Sequence, residues 1–329
     1  MRQLTIEKNQ AGGRFDKFLL KYLNLATSGF IHKMLRKKNI TLNGKKADGS
    51  EKLQAGDCVN IYFTDETFAK FSTAGVQKKV QTGVSLKDCP RVVYEDEHVL
   101  VFDKPSGLLS QKAAADDVSV NEYAIAYLLH HGRIKQEDLQ IFSPSVCNRL
   151  DRNTTGLITV GVTAQGARSL SLGFKERTFD KYYVCIVAGK VEGRHRVAGY
   201  LTKDEKNNRV SLSEKPEGTK GEQYIETEFE ALEYNGACSM LKVKLITGKT
   251  HQIRAHLAKE GHPLLGDFKY GDRRWNETCK KKYGISFQLL HSYELKFPTL
   301  TGPLEKLSGV TLRADLPEIY ERIMKDPSF

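Results

Sequence analysis

The densest set of polar side chains in this 329-residue chain begins at residue 148 and reads Asn-Arg-Leu-Asp-Arg-Asn-Thr-Thr-Gly. Asp151 stands there beside Arg149 and Arg152, and an apolar run at 157–160 follows. Two neighbouring cations favour the charged form of a carboxylate, and a polar loop exposes it. Such an aspartate suits work as a nucleophile or as a general base. A structural ion pair that closes a turn is the alternative.

A second polar segment, which starts at residue 247, reads Thr-Gly-Lys-Thr-His-Gln-Ile-Arg-Ala-His-Leu. Thr250 is the expected N-cap of a helix that carries His251 and Arg254 on one side. Arg254 can then reach a carboxylate and hold it in place through a bidentate contact. Zinc binding by His251, His256 and His262 is the rival interpretation, but a spacing of five residues places the first two on different helix faces. We therefore expect no metal.

A third segment, from residue 181, reads Lys-Tyr-Tyr-Val-Cys-Ile-Val-Ala-Gly and has the composition of a strand. Because side chains alternate along a strand, Tyr182 and Tyr183 point to opposite faces. One of them can pack in the core while the other offers its ring and hydroxyl to a cleft, where it could stack on a nucleobase. Two ordinary sheet tyrosines are the alternative.

A large sheet has to position these three segments. Residues 92–105 contain two β-rich runs around an acidic turn, which predicts a hairpin. Further strands are predicted at 157–162, 182–187, 225–232, 239–245 and 292–297, and helices at 119–130, 164–174 and 251–260. Strands dominate without regular βαβ alternation, which favours an α+β fold with a large mixed or antiparallel sheet. The sequence has no G-x-G-x-x-G or Walker A motif, so no nucleotide cofactor is indicated.

The N-terminal region predicts a small separate unit. Apolar residues from Phe15 follow a helical period, and Thr27 or Ser28 can cap a second helix. The polar face of that second helix carries His32, Lys33, Arg36 and Lys37. A strand at 40–42 then runs into an Asn-Gly turn signal, and a closing strand follows at 59–63. Two helices, one of them basic, and a short antiparallel sheet predict an αα-β RNA-binding domain.

The net charge of +11 is concentrated in that unit. Residues 1–63 hold 12 Lys and Arg against 5 Asp and Glu, whereas residues 90–329 hold 35 against 32. Such a surplus is typical of a protein that binds a polyanion, although a solvated basic face is the alternative. Residues 64–89 are poor in aliphatic side chains and predict a linker. We expect an RNA-binding domain at 1–63, this linker, and a catalytic domain at 90–329.

Other classes of protein are disfavoured by what the sequence lacks. No run of about 18 apolar residues predicts a membrane helix, and the N-terminus has no secretory signal pattern. The six cysteines are scattered without C-x-x-C spacing, as expected for free thiols in a reducing compartment. The expectation is a cytoplasmic protein that makes no membrane contact.

Five motifs in order make the chain resemble the RluA-type family of RNA pseudouridine synthases. The family patterns are H-R-L-D-R-x-T-S-G, K-x-Y-x-A-x-V-x-G, G-[RK]-T-H-Q-I-R-x-H, G-H-P-x-x-G-D-x-x-Y-G and H-[AS]-x-x-L-x-F. They match residues 148–156, 181–189, 248–256, 261–271 and 291–297. The resemblance covers about residues 90–315, and the N-terminal unit resembles the α-L RNA-binding module. Asn148 replaces the family's histidine and cannot carry a proton, and Thr155 replaces its serine.

The resemblance implies a role for each matching residue. Asp151 would be the catalytic carboxylate, Arg254 would orient it, and Tyr183 would contact the base. Together with the basic helix, the motifs give the expected RNA contacts: His32, Lys33, Arg36, Lys37, Asn148, Arg149, Arg152, Thr250, His251 and Gln252. No cofactor is implied.

The expected partner is structured RNA, with large-subunit rRNA favoured over tRNA, and the expected oligomeric state is a monomer. Two alternatives stay open, a tRNA-directed synthase and a non-catalytic RNA-binding or ribosome-assembly protein derived from a synthase.

Overall fold

A computed structural model of the chain describes residues 1–7, 10–72, 83–204, 207 and 209–326. These residues form one sheet of three strands near the N-terminus and one sheet of eleven strands in the remainder. The N-terminal strands and helices are β1 (Arg2–Thr5), α1 (Phe15–Tyr22), α2 (Ser28–Arg36), β2 (Ile40–Leu42), β3 (Cys58–Ile61) and α3 (Asp65–Phe71).

The N-terminal unit has the two amphipathic helices that its sequence predicts. The apolar stripe of α2, formed by Ile31, Met34 and Leu35, is buried against the small sheet, whose strand order is β1-β3-β2. Thr27 caps α2 by accepting a hydrogen bond from the backbone N–H of Phe30. The Asn-Gly turn after β2 also forms, with both of its residues in the left-handed region that a tight hairpin turn needs.

Helix α3 lies in the segment that was interpreted as a linker, and the sequence pattern does not predict it. Thr64 caps this helix, and Phe68 is 2% exposed in the N-terminal core. The guanidinium of Arg2 lies 3.8 Å from the centre of the Phe68 ring. The ordered N-terminal unit therefore extends at least to Phe71. Residues 73–82, also in the expected linker, lie outside the described residues.

The large sheet is mixed, as its sequence predicts. Its strands are β4 (Arg91–Glu95), β5 (Val99–Lys104), β6 (Ser145–Val146), β7 (Thr155–Gly161), β8 (Asp180–Ala188), β9 (Arg194–Asp204), β10 (Arg209–Ser213), β11 (Gln223–Tyr234), β12 (Cys238–Leu245), β13 (Leu290–Lys296) and β14 (Thr311–Arg313). The main order is β10-β9-β11-β12-β8-β13-β7-β5-β4, with β14 beside β13 and β6 beside β7. Strands β13 and β7 pair in parallel, and the other described pairs are antiparallel.

Helices cover both faces of this sheet. They are α4 (Val120–His130), α5 (Ala164–Glu176), α6 (Gln252–Lys259), α7 (Arg273–Tyr283) and α8 (Glu318–Met324). Helices α4 and α6 pack on the face that carries Tyr183 and Cys185, whereas α8 packs on the face that carries Val184 and Ile186. No helix in the described part of the chain combines the length and the apolar character that crossing a lipid bilayer requires.

The N-terminal unit contacts the large-sheet region through a few side chains. Arg168 of α5 donates a hydrogen bond to the carbonyl of Ala11 at 3.2 Å, and Gln10 donates to Asp138 at 3.4 Å. Ile141 packs against the N-terminal core. A Cβ atom at Gly12 would lie 2.4 Å from the Arg168 guanidinium, so a glycine at this position permits the close approach.

Candidate active site

Asp151 lies on the loop between β6 and β7, and neighbouring side chains hold this loop on both sides of it. The buried hydroxyl of Ser110 donates to the carbonyl of Leu150 at 2.7 Å and accepts from its N–H at 3.0 Å. The ammonium of Lys104, at the end of β5, donates to the carbonyl of Arg152 at 2.8 Å and to two further carbonyls. Burial lowers the pKa of Lys104, and the nearby charge of Asp151 opposes that effect. The backbone around Asp151 is therefore fixed by groups from outside its own loop.

Ser110→Ala should lower the free energy of unfolding by about 1–3 kcal/mol, because it leaves both backbone groups of Leu150 buried without a partner. The matched control is Ser106→Ala, since the Ser106 hydroxyl has no hydrogen-bond partner among the described residues. That control should not lower stability, because it removes a buried hydroxyl that forms no hydrogen bond with the part of the protein that the structure describes. Urea denaturation of both variants measures the difference. Equal midpoints for the two variants would contradict this account of the loop.

Hydrogen bonds join three charged side chains in series, Asp267, Arg254 and Asp151, and they orient the carboxylate of Asp151. Arg254 of α6 donates from Nη1 to Oδ2 of Asp151 at 2.8 Å. Its Nε and Nη2 donate to the two oxygens of Asp267 at 2.7 and 2.8 Å, and Asp267 is 1% exposed. Bidentate pairs of this kind fix both distance and plane, so the guanidinium presents its remaining edge to Asp151 in one orientation.

Burial and ion pairing act in opposite directions on the pKa values of Arg254 and Asp267, the two buried groups of this series. Burial alone lowers the pKa of Arg254, but the ion pairs with Asp267 and Asp151 raise it above its usual value. Burial raises the pKa of Asp267, but the hydrogen bonds and charge of Arg254 bring it below its ordinary value. Both groups are therefore charged at neutral pH.

The arginines next to Asp151 in sequence are not its partners, which corrects the sequence interpretation. Among the described residues, the cationic or imidazole groups within 4 Å of its carboxylate belong to Arg254 and His251. Arg149 and Arg152 are exposed, and Arg152 donates instead to the carbonyl of Gly107 at 3.0 Å. Neither arginine therefore holds the carboxylate through an ion pair, although both line the cavity in front of it.

The start of α6 also differs from the prediction. His251, not Thr250, occupies the N-cap position, with a left-handed backbone at φ 56° and no side-chain cap. Its Nδ1 lies 3.0 Å from the hydroxyl of Tyr270, and its Nε2 lies 3.8 Å from Asp151. Burial lowers the pKa of His251, and the Asp151 charge opposes this effect. Thr250 lines the cavity in front of Asp151.

Two of the expected RNA contacts use their hydrogen bonds inside the protein. Gln252 is 2% exposed and donates to the carbonyl of Glu226 and the hydroxyl of Thr227, both at 2.9 Å. The side-chain oxygen of Asn148 accepts from the N–H and hydroxyl of Thr159 at 2.7 and 2.9 Å. Both amides hold loops to the sheet, and both residues also line the cavity in front of Asp151.

The two tyrosines of β8 lie on opposite faces, as strand alternation predicts. Tyr183 faces the cavity and is 6% exposed, and burial raises the pKa of its phenol to about 12. It is therefore a neutral hydrogen-bond donor at neutral pH. Tyr182 lies on the other face, where Lys242 and Lys296 approach its ring to 4.7 and 4.9 Å.

A cavity of about 1040 Å³ joins Asp151, Tyr183 and Arg254. Among the described residues that line it, Asp151 has the one carboxylate and ten others carry a cationic side chain. These ten are Lys112, Arg149, Arg152, Lys175, Arg177, Lys181, Lys203, Lys249, Arg254 and Lys269. A concave surface with this excess of one sign concentrates ligands of the opposite sign, and the surplus suits a phosphate backbone.

The basic face of α2 is not part of this cavity. Lys33, Arg36 and Lys37 are exposed, whereas His32 contacts the carbonyl of Asp48 at 3.2 Å and lies 3.9 Å from Asp16. The structure thus leaves three exposed cations, two on α2 and one at its C-cap residue Lys37, separate from the residues around Asp151.

The three histidines considered as zinc ligands, His251, His256 and His262, are not grouped together in the part of the chain that the structure describes. His256 is buried with its Nδ1 2.8 Å from the hydroxyl of Thr227, and burial lowers its pKa to about 4. Across the ranges that the structure describes, no three His, Cys, Asp or Glu side chains come close enough to hold a metal ion.

Sequence reasoning missed Lys104, Asp267 and Tyr270 as parts of the site. Asp267 and Tyr270 belong to the G-D-x-x-Y-G stretch that was matched as a motif but given no role. Lys104 stands at the end of a buried strand, where an ammonium needs acceptors, and that placement was the available signal. Tyr270 also accepts a hydrogen bond from the N–H of Val210 at 2.9 Å, which joins β10 to the site.

Comparisons with known proteins agree with these features. A family model described as RNA pseudouridylate synthase matches residues 98–259. A Vibrio cholerae protein named Ribosomal large subunit pseudouridine synthase C is 30% identical over 300 residues, covering 89% of this chain and 88% of its own. Its Vibrio vulnificus namesake is 30% identical over 325 residues, covering 98% and 95%.

The fold also resembles a solved structure. Human RNA Pseudouridylate Synthase Domain Containing 4 superposes with a TM-score of 0.54 at 20% identity, covering 70% of this chain and 90% of that one. This likeness concerns the architecture, a large mixed sheet with helices on its faces.

Proposed function

The chain belongs to the RNA pseudouridine synthase family, and on this premise we propose that it isomerises uridines of large-subunit ribosomal RNA with Asp151 as the catalytic carboxylate. The enzyme is an isomerase. The observation that carries the proposal is the position of Asp151, held by Arg254 in a cavity whose other charged lining residues are cationic. The relatives' names, which state a large-subunit ribosomal substrate, support the choice of RNA.

The reaction needs one carboxylate and no water. The bond between N1 of uracil and C1′ of ribose breaks, the base turns, and a bond forms between C5 and C1′, after which the C5 proton is lost and N1 regains a proton. A hydrolytic glycosidase usually employs a second carboxylate and a water molecule instead. Asp151 acts on the sugar either by attacking C1′ or by taking a proton from C2′, and both routes require the same fixed carboxylate.

Arg254 and Tyr183 have supporting roles in this proposal. The side chain of Arg254, buried and held by Asp267, orients the carboxylate of Asp151. Tyr183 offers its ring to the uracil and its phenolic proton to an oxygen of the base. Turning a base out costs a few kcal/mol and least in loops, which fits structured rRNA loops as targets.

The test is an assay on unmodified transcripts of the large-subunit rRNA and of a tRNA pool from the same source. Pseudouridines are mapped after incubation with the full-length protein. The proposal predicts conversion of specific uridines in the rRNA transcript. Conversion confined to tRNA would overturn the rRNA assignment, and no conversion in either RNA would overturn the proposed activity on these substrates.

Residues 1–63 are proposed as an RNA-binding domain that contacts the backbone through the exposed cations of α2, with residues 90–329 as the catalytic domain. Lys33→Gln/Lys37→Gln should lower the slope of log affinity against log salt by about 1.4 to 1.8, since each lost phosphate contact removes about 0.7 to 0.9. The rate at saturating rRNA transcript should not change, because neither lysine lines the cavity.

The matched control for this prediction is Lys280→Gln/Lys281→Gln, which removes the same charge from an exposed part of α7. Filter binding between about 50 and 200 mM salt gives each slope. The control should keep the wild-type slope. Equal slopes for the two double variants would mean that α2 is a solvated basic face.

A further inference from the structure

Phe268 is the most exposed aromatic side chain near the candidate site, with 60% of its surface accessible. Single exposed apolar residues are common on proteins and by themselves indicate nothing. Phe268, however, lies between Asp267, which is buried under Arg254, and Lys269, which lines the cavity. The ring of Phe268 is thus exposed to solvent next to Asp267, the residue that holds Arg254.

Phe268 belongs to a second cavity of about 390 Å³ that adjoins the first. Four residues line both cavities, namely Asn153, Arg254, Lys269 and Gln288. Phe287 contributes a second aromatic side chain, and Arg209 contributes a further cation. Among the described residues that line this second cavity there is no carboxylate.

The turn that carries Phe268 is held rigidly. One oxygen of Asp267 accepts from the backbone N–H groups of Lys269 and Tyr270 at 2.9 and 3.1 Å, while the same carboxylate clamps Arg254. Arg209 donates to the carbonyl of Lys269. The backbone that carries Phe268 is therefore fixed relative to Arg254 and, through it, to Asp151.

An exposed ring, flanking cations and continuity with a nucleotide-sized cavity are the features with which proteins bind single-stranded RNA. Aromatic faces stack on bases of any sequence, and cations accompany the backbone. We propose that Phe268 stacks on an unpaired nucleobase adjacent to the target uridine, in a subsite where Arg209 and Lys269 face the phosphate backbone. This inference rests on the proposed function and adds a contact that selects the local structure of the RNA.

The test compares Phe268→Leu, which keeps apolar volume, with Phe268→Tyr, which keeps the ring. Phe268→Leu should weaken binding to the large-subunit rRNA transcript by roughly 5- to 100-fold, the loss expected when a base-stacking aromatic is removed. Its single-turnover rate at saturating transcript should stay within about threefold of wild type, because the contact contributes to binding and not to the chemical step. Phe268→Tyr should retain wild-type affinity.

A control variant and a fluorescence measurement show whether the effect is specific to stacking on Phe268. Tyr234→Leu is the matched control, because Tyr234 is an exposed aromatic, 41% accessible, that lines neither cavity. Pentaribonucleotides with a central uridine and 2-aminopurine on its 5′ or its 3′ side report stacking by fluorescence quenching. Wild type and Phe268→Tyr should quench one of the two at saturating protein, and Phe268→Leu should not.

The outcomes separate this subsite from the proposed function. If wild type converts the rRNA transcript but Phe268→Leu binds and quenches as wild type does, the subsite is wrong and the function stands. If wild type converts no uridine, the proposed function fails and the subsite fails with it. Equal losses of affinity in Phe268→Leu and Phe268→Tyr would also contradict stacking.

Discussion

The Asp151→Asn variant should form no measurable pseudouridine while it binds the same RNA with almost unchanged affinity. The amide keeps the size of the side chain and can still accept the hydrogen bond from Arg254, which is 2.8 Å long in the wild type. It can neither attack the sugar nor take up a proton. A positioned acid–base group contributes about 10²–10⁴-fold to a rate, and no other carboxylate lines the cavity among the described residues, so the single-turnover rate should fall by about 10⁴-fold, the upper end of that range.

The matched control is Asp116→Asn, an exposed carboxylate in the loop that follows the lining residues Lys112 and Ala113. It removes the same charge without touching Asp151 and should keep the wild-type rate. Single-turnover tritium release from labelled transcript measures the rate, and filter binding measures the affinity. Turnover near wild type in Asp151→Asn would overturn the catalytic assignment.

The second large effect is expected for Arg254→Met, which leaves Asp267 buried at 1% exposure without its cation. Breaking a buried ion pair typically costs about 3–5 kcal/mol, because the remaining charge stays desolvated. The rate at saturating RNA should also fall by about 10²-fold or more, since Asp151 loses the group that orients it. If Arg254→Met does not fold, Arg254→Lys is the variant to measure, because it keeps a cation without the planar fork. Its free energy of unfolding and its rate should both lie below those of wild type and above those expected for Arg254→Met.

Arg194→Met is the control for stability, because Arg194 forms an exposed ion pair with Glu228 on the sheet surface. Its loss should cost little stability, because solvent screens an exposed ion pair. Urea denaturation at neutral pH measures both variants. Similar losses for Arg254→Met and Arg194→Met would show that the buried chain of charges does not carry the stability assigned to it.

The difference in stability between wild type and Arg254→Met should depend on pH with a definite sign. In wild type the pKa of Asp267 is below the ordinary value of 3.8, so its stabilising contribution is present above that pH and is lost as the pH falls through the lower folded value. In Arg254→Met the charge and hydrogen bonds of Arg254 are lost, and burial is opposed only by the backbone N–H groups of Lys269 and Tyr270. The pKa of Asp267 should therefore rise relative to wild type, which makes its protonation easier. The stability difference between the two proteins should therefore be widest at neutral pH and should narrow toward pH 4 and below. A difference that widens in acid would contradict this assignment.

Periodicity and turn chemistry were enough to predict the elements whose side chains bury one face. Helices α1 and α2 and the core strands β5, β7, β8 and β12 have apolar residues at the period of their own geometry. Strands β9 and β10 and helix α7 were missed because they are mostly polar. The eleven residues of α7 bury only Asn276 and Cys279, too few to give a periodic signal.

The site could be predicted as a set of motifs but not as a set of contacts. Arg254 and Asp151 are 103 residues apart, and a hydrogen bond over that separation depends on the assembled sheet and not on local pattern. The arginines next to Asp151 were therefore the visible partners, and they were the wrong ones. The sequence around Asp267 does not indicate an ion pair, since its partner Arg254 is 13 residues away on a different element.

The most direct test of the central claim is a map of pseudouridines in large-subunit rRNA from cells that lack this gene and carry either the wild-type chain or Asp151→Asn in its place. We expect at least one rRNA pseudouridine to be absent without the gene, restored by the wild-type chain and not restored by Asp151→Asn. An unchanged rRNA pattern without the gene, or restoration by Asp151→Asn, would contradict the account.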